Sequence, residues 1–279
     1  MPQPRPFRQV DVFSSVPFMG NPLAVVLGAD GLDGAQMQAI ARWTGLSETT
    51  FALAPRDPAA DYRVRIFSPE TEFPFAGHPT LGTAHALLDA GLRPKGAHIV
   101  QECGVGLVPI ERQAGGVLAF QAPPCTTRPL DPALLPLLQA ALGGVPAAAG
   151  SVVEMGIRWL CVPLASAADC LAVDADIAAL TALLAAARAD GLALYGAHAA
   201  GGPADYEVRA LLSEHGALVE DPVTGSANAC IAQRLASGDY TVRQGTCLQC
   251  DGRVAIHFRA GHAWIGGACL TVINGSILA

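Results

Sequence analysis

Along most of the chain apolar and polar positions alternate over short runs, but from Gly77 to Leu88 they do not alternate at all. Pro79, Leu81, Ala84, Ala86 and Leu87 cover every side of a helical wheel, and a helix apolar all round is a buried one. Pro79 suits the first turn, where its missing N–H costs nothing, while Gly82, Ala84 and Ala86 are small enough for strands to close around the helix. The pattern on either side predicts those strands. Gln9–Phe13 reads as a strand, Gly20-Asn21-Pro22 as a turn and Leu23–Leu27 as a second strand. Asp33 is placed to cap a helix whose core face is Met37, Ile40, Ala41 and Thr44 and which Gly45 ends. Further strands are expected at Tyr62–Phe67, around Ile99, and over Leu107–Arg112 and Val117–Gln121.

This order then repeats. Tyr62-Arg63-Val64-Arg65-Ile66-Phe67 is echoed 144 positions later by Tyr206-Glu207-Val208-Arg209-Ala210-Leu211, and Gly77 is echoed 148 positions later by Gly225, which opens a second run of small and apolar residues to Ala232. Gln101 with Gln249 and Gly104 with Gly252 keep the 148 spacing. The second half also offers a strand at Trp159–Leu164, a helix at Ile177–Ala189 behind Asp176 and a strand at Leu192–Tyr195. A repeat this long is no solenoid unit; it points to two similar domains whose helix starts face one cleft. Pro123–Pro129, stiffened by prolines and lacking a core pattern, is the expected linker. The domains are then 1–127 and 128–279, with the last strands able to cross back to the first.

Composition narrows the class. The 279 residues are 51% hydrophobic and 15% charged, enough for two substantial cores. A net charge of −7 argues against a nucleic-acid partner and against an anionic membrane surface. The start, Met1-Pro2-Gln3-Pro4-Arg5-Pro6, has no apolar segment, so a cytoplasmic location is expected. The uncharged stretch from Pro132 to Val153 is interrupted by Pro136, Gly143, Gly144 and Pro146, and reads as a capped helix rather than a membrane span. Eight cysteines are scattered. Cys247 and Cys250 form one C-x-x-C without a second ligand pair, and His85, His98, His198, His215, His257 and His262 show no ligand spacing, so no metal is expected.

The candidate chemistry lies elsewhere. The first N–H groups of a helix lack intrahelical partners and carry the positive end of its dipole, so the starts at Gly77 and Gly225 are expected to hold a carboxylate. Glu48 stands between the helix ending at Gly45 and an apolar strand, flanked by Ser47, Thr49 and Thr50. His78 follows Gly77, where it serves as a cap or a functional group, and Ser226 follows Gly225 as an expected N-cap.

Five motifs in order, Asp11-Val12-Phe13, Gly20-Asn21-Pro22, Ser47-Glu48-Thr49, Phe75-Ala76-Gly77-His78-Pro79-Thr80 and Glu220-Asp221-Pro222-Val223-Thr224-Gly225-Ser226-Ala227, resemble the PhzF (phenazine biosynthesis F-like) isomerase family nearly end to end. The resemblance implies an α+β, diaminopimelate epimerase-like fold: two similar domains, each a barrel-like sheet wrapped around a central buried helix. It also implies a homodimer and an isomerase that needs no cofactor, moving a proton on a small carboxylic acid such as trans-2,3-dihydro-3-hydroxyanthranilate. In that reading Glu48 is the general acid/base, His78 and Asp221 are its catalytic partners, and Gly77, Gly225 and Ser226 bind the substrate carboxylate. Two departures leave the substrate open: Arg209-Ala210-Leu211-Leu212-Ser213 stands where the family has Arg-x-Phe-x-Pro, and Val254-Ala255 follows Gly252-Arg253 in place of Pro-Ser. Two other readings stand beside it. A two-thiol racemase of the same fold would need cysteines where this chain has Ala76 and Thr224; a non-catalytic small-molecule binding protein would keep the fold without the chemistry.

Overall fold

The computed structural model describes residues 2–214, 216–236 and 238–279; His215 lies outside them. The chain divides into two compact units, Met1–Pro123 with Trp264–Ala279, and Pro124–Ala263.

The first unit is built from β1 (Pro4–Val12), β2 (Asn21–Val26), α1 (Gly34–Thr44), β3 (Thr49–Leu53), β4 (Tyr62–Phe67), β5 (Glu72–Phe73), α2 (Gly77–Asp89), β6 (Ile99–Cys103), β7 (Gly106–Arg112) and β8 (Leu118–Gln121). β1 pairs antiparallel with β2, β2 lies parallel to β3, and β3 runs antiparallel to β4. β4 lies parallel to β6, from which β7 and β8 follow as an antiparallel meander. The two parallel pairs need long crossovers, and α1 and α2 supply them. α2 packs against β1, β2, β3, β6 and β8, and every residue from Gly77 to Ala84 is buried. Closure around it depends on Gly82, where a Cβ would lie 2.5 Å from Leu23 Cδ2 and 2.8 Å from Val12 Cγ2. α1 covers the other face of the sheet, packing Met37 and Ala41 onto Val26, Phe51 and Phe67. The expected Asp33 cap is present, as a capping box with Gln36, and Gly45 closes the helix at φ 67°.

The second unit runs β9 (Thr126–Pro129), α3 (Leu135–Ala141), β10 (Ser151–Glu154), β11 (Arg158–Pro163), α4 (Ala167–Ala172), α5 (Ile177–Ala187), β12 (Gly191–Ala197), β13 (Tyr206–Glu214), β14 (Ala217–Asp221), α6 (Gly225–Leu235), β15 (Tyr240–Gln244) and β16 (Gly252–Arg259). Its pairing reproduces the first unit: β10 antiparallel to β11, β11 parallel to β12, β12 antiparallel to β13, β13 parallel to β15, and β15 antiparallel to β16. α6 is the counterpart of α2, buried from Gly225 to Ala232. Even one ion pair is duplicated. Arg65 on β4 meets Glu72 on β5, and Arg209 on β13 meets Glu220 on β14.

Two strands complete the chain. β17 (His262–Gly267) pairs through Trp264–Gly267 with β8, and β18 (Cys269–Leu278) pairs along the whole of β1. The C-terminal segment from Trp264 therefore folds with the first unit.

Three sequence expectations are corrected. Thr126–Pro129, read as linker, is an edge strand paired with β10; all four side chains are exposed, so no alternation marks them, and only an edge accommodates a proline of this kind. Gly104 corresponds to Gly245, not to Gly252. A Cβ at Gly104 would lie 2.6 Å from Pro74 Cα, and one at Gly245 would lie 2.7 Å from the Pro222 carbonyl oxygen. The helix and following loop are shorter in the second unit, which breaks the 148 spacing after α6. Gln249, matched to Gln101 by that spacing, sits instead in an exposed turn at φ 59°. Finally, no helix among the described residues is long and apolar enough to cross a membrane.

Candidate active site

The end of α1 and the start of α2 bring Glu48 and His78 together. Thr44 on the last turn of α1 and Thr49 at the start of β3 share a hydrogen bond of 2.7 Å, which pins both ends of the loop carrying Ser47 and Glu48. His78 is the second residue of α2, inside the helix rather than capping it. Its Nε2 lies 3.6 Å from Glu48 Oε2, with the imidazole side chain 4% exposed and the carboxylate 16% exposed.

The surrounding groups select the imidazole tautomer. Ser47 donates its hydroxyl to Asn21 Oδ1 at 3.5 Å, which turns the Asn21 amide nitrogen toward His78 Nδ1, 3.4 Å away. Nδ1 then accepts, so the ring proton sits on Nε2, whose neighbour Glu48 Oε2 lies at 3.6 Å, beyond hydrogen-bond length. Burial pushes the His78 imidazolium down to about 3, so the ring is neutral near pH 7 and acts as a single N–H donor. Asn21 is fully buried and opens β2, paired with Val12; the turn expected at Gly20-Asn21-Pro22 ends at Gly20, and the sequence gives no sign that the Asn21 amide orients a histidine.

Three of the four peripheral helices have starts closed by a side chain, and the fourth, α3, with Leu134 at its cap position, does not. α1, α4 and α5 are each capped by a side chain, from Asp33, Ser166 and Asp176. α2 and α6 begin at Ala76 and Thr224 with no side-chain cap. Their first-turn N–H groups are therefore available to an anion.

In the second unit Ser226 is not the N-cap. Thr224 holds that position, and the Ser226 hydroxyl, 5% exposed, instead accepts the Trp159 indole N–H at 3.1 Å. Asp221, at the end of β14, receives the Thr224 hydroxyl, while Gln244 donates to the Asp221 carbonyl at 3.1 Å. Gln244 also accepts from the Thr224 N–H and the Asn228 amide, bracing the first turn of α6. Gln101 does the same for α2, donating to Thr80 at 2.9 Å while accepting from Tyr62. Arg209, at the departure from the family pattern, is committed to structure, binding Glu220 and the carbonyls of Cys170 and Val173. Cys247 and Cys250 lie on an exposed turn, and no group of three or more His, Cys, Asp or Glu among the described residues could hold a metal ion.

A sequence profile of the PhzC-PhzF family, described as phenazine biosynthesis-like protein, matches residues 10–275. The chain belongs to this family. The trans-2,3-dihydro-3-hydroxyanthranilate isomerase of Pseudomonas chlororaphis is 37% identical over 239 residues, covering 81% of this PhzF-family chain and 78% of that protein. Antisense-enhancing sequence 1 of Schizosaccharomyces pombe is 32% identical over 295 residues, covering 96% and 97%. The crystal structure of a PhzF-family protein from Bacillus anthracis shares the fold, with a TM-score of 0.82 at 24% identity over 99% of this chain and 100% of that one. At the level of the family, this PhzF-like chain is an isomerase of α+β, diaminopimelate epimerase-like fold.

Proposed function

We propose that this protein is a cofactor-independent isomerase that moves a proton between carbons of a small carboxylic acid similar to trans-2,3-dihydro-3-hydroxyanthranilate. The observation that carries the reading is the Glu48–His78 pair: a carboxylate 3.6 Å from a buried imidazole at the uncapped start of a buried helix. Glu48 takes the proton from one carbon and returns it to another. His78, neutral with its N–H toward Glu48, steadies the carboxylate oxygen without competing for the proton. The N–H groups at Gly77 offer fixed positive dipole to the substrate carboxylate, and being preorganised they lose nothing as charge moves within the substrate. Asp221 is the third polar catalytic group, and Gly225 with Ser226 supplies carboxylate donors of the same kind from α6.

The test is Glu48→Gln, which keeps the shape and removes the basic oxygen. With a candidate dihydro-hydroxy acid as substrate, kcat should fall about 100-fold or more, the usual contribution of a positioned acid/base group. Deuterium from heavy water should enter the product of the wild-type reaction. A folded Glu48→Gln variant that binds ligand and turns over at the native rate refutes the assignment of Glu48. A wild-type protein that binds such acids without converting or exchanging them supports the non-catalytic reading instead.

A further inference from the structure

The duplicated registers allow the two units to be compared residue by residue. In the first, Phe51 opposes Arg65, and Ala24 lies beside Thr49. In the second, Leu194 opposes Arg209, and Leu160 lies beside Leu192. The matching Arg65–Glu72 and Arg209–Glu220 ion pairs fix the alignment. One residue before Thr49 is Glu48, and its counterpart one residue before Leu192 is Gly191. His78, second in α2, has Ser226, second in α6, as its counterpart.

The position of the proton carrier is thus empty of side chain in the second unit, and a different group fills the space. A Cβ on Gly191 would lie 2.3 Å from Trp159 Cζ3, so the indole occupies the volume a carboxylate stem would need. Trp159 is itself paired with Gly191 across the parallel strands β11 and β12 and is 2% exposed. Its Nε1–H donates to Ser226 Oγ at 3.1 Å. An acceptor beside the second helical residue in one unit has become a donor in the other, and an indole N–H neither titrates nor accepts.

We propose that Trp159 is a positioning residue: by donating to one lone pair of Ser226 Oγ it fixes that oxygen, so that the hydroxyl presents its own hydrogen to an anionic ligand group at the start of α6. The bond from Trp159 is the only hydrogen bond of Ser226 Oγ among the described residues, and it engages the oxygen as acceptor. The hydroxyl hydrogen is left for a ligand, beside the uncapped N–H groups of a buried helix start. This inference rests on the assignment of Ser226 to the substrate carboxylate in the proposed function.

The experiment is a double-mutant cycle on benzoate binding, followed by calorimetry in the intact protein. Trp159→Phe keeps an aromatic ring and removes the N–H; Ser226→Ala removes the hydroxyl. Each single variant should weaken benzoate binding about fivefold, the effect of one net hydrogen bond, and the double variant should be no weaker than Ser226→Ala alone. Circular dichroism and thermal unfolding verify that each variant is folded. Turnover of a true substrate by Trp159→Phe should show raised KM with kcat nearly unchanged, because the bond acts on binding rather than on proton transfer. Equal weakening by Trp159→Phe in the presence and absence of Ser226 overturns the proposal, since ring volume would then be the cause. Native affinity in Trp159→Phe, or wild-type binding of benzoate that does not depend on Ser226, overturns it as well. Benzoate undergoes no isomerisation, so Ser226-dependent binding in a protein with no turnover would sink the isomerase reading and leave this inference standing.

Discussion

Protonation of His78 should register on the stability of the fold. The native imidazole stays neutral down to about pH 3, whereas in an unfolded chain it titrates near 6.5. Between these values the unfolded chain binds one more proton than the native protein, so stability is lost as pH falls below about 6.5, and the loss is complete near pH 3. At about 1.36 kcal/mol per unit, the whole window is worth roughly 5 kcal/mol and the part between pH 7.5 and pH 5 about 2 kcal/mol. An ionised Glu48 3.6 Å away favours the imidazolium, which makes these figures ceilings. His78→Gln removes the titration and retains a donor. Urea unfolding of both proteins at pH 5, 6 and 7.5 should show the variant less stable at pH 7.5, through lost packing, with the gap narrowing by about 1–2 kcal/mol at pH 5. A gap that widens on acidification means that native His78 is charged and paired with Glu48, and a constant gap means that burial leaves its titration unchanged; either result refutes the lowered imidazolium and the neutral-donor role built on it.

The duplicated ion pairs should differ in worth: Arg209, 8% exposed against a 9% exposed Glu220, should cost about 3–5 kcal/mol of unfolding free energy as Arg209→Ala because a buried carboxylate is left behind. Arg65→Ala, removing the counterpart whose partners are 28% and 40% exposed, should cost no more than about 1 kcal/mol for the ion pair. Gly191→Ala, with its Cβ driven against Trp159, should lower stability by about 1–3 kcal/mol in chemical denaturation, and an unchanged unfolding midpoint would show that the indole moves aside freely. Buried Cys161 and Cys170, whose thiols burial pushes up to about 12, should react with a thiol reagent only after unfolding, while exposed Cys247 reacts in the native protein and Cys247→Ser keeps full turnover.

The central helices were legible because burial on every side leaves a compositional trace: α2 and α6 have few residues that would tolerate water. The duplication was legible as far as the shared strand-glycine-helix order reached, and the ion pair Arg65–Glu72 with its echo Arg209–Glu220 shows why, since both members survive at fixed register. Beyond α6 the spacing misled, because loop length costs little to change, whereas the close approach of Gly104 to Pro74 and of Gly245 to Pro222 tolerates no side chain. Such contacts are three-dimensional and leave only a glycine among many. The same limit hid Trp159. In sequence it is one more apolar residue of a strand, and Ser226 one more small polar residue at a helix start; only the parallel register of β11 with β12 shows that the indole fills the space beside Gly191. Glu48, by contrast, is set apart by a helix stop at Gly45 and an apolar strand at Thr49, so its place beside a helix end was readable from the residues, while His78 was named as its partner only through the family resemblance. Divergence of two copies of one scaffold therefore separates the roles: one unit keeps a titratable pair beside its helix start, and the other replaces it with a fixed donor chain that titrates nowhere near neutrality.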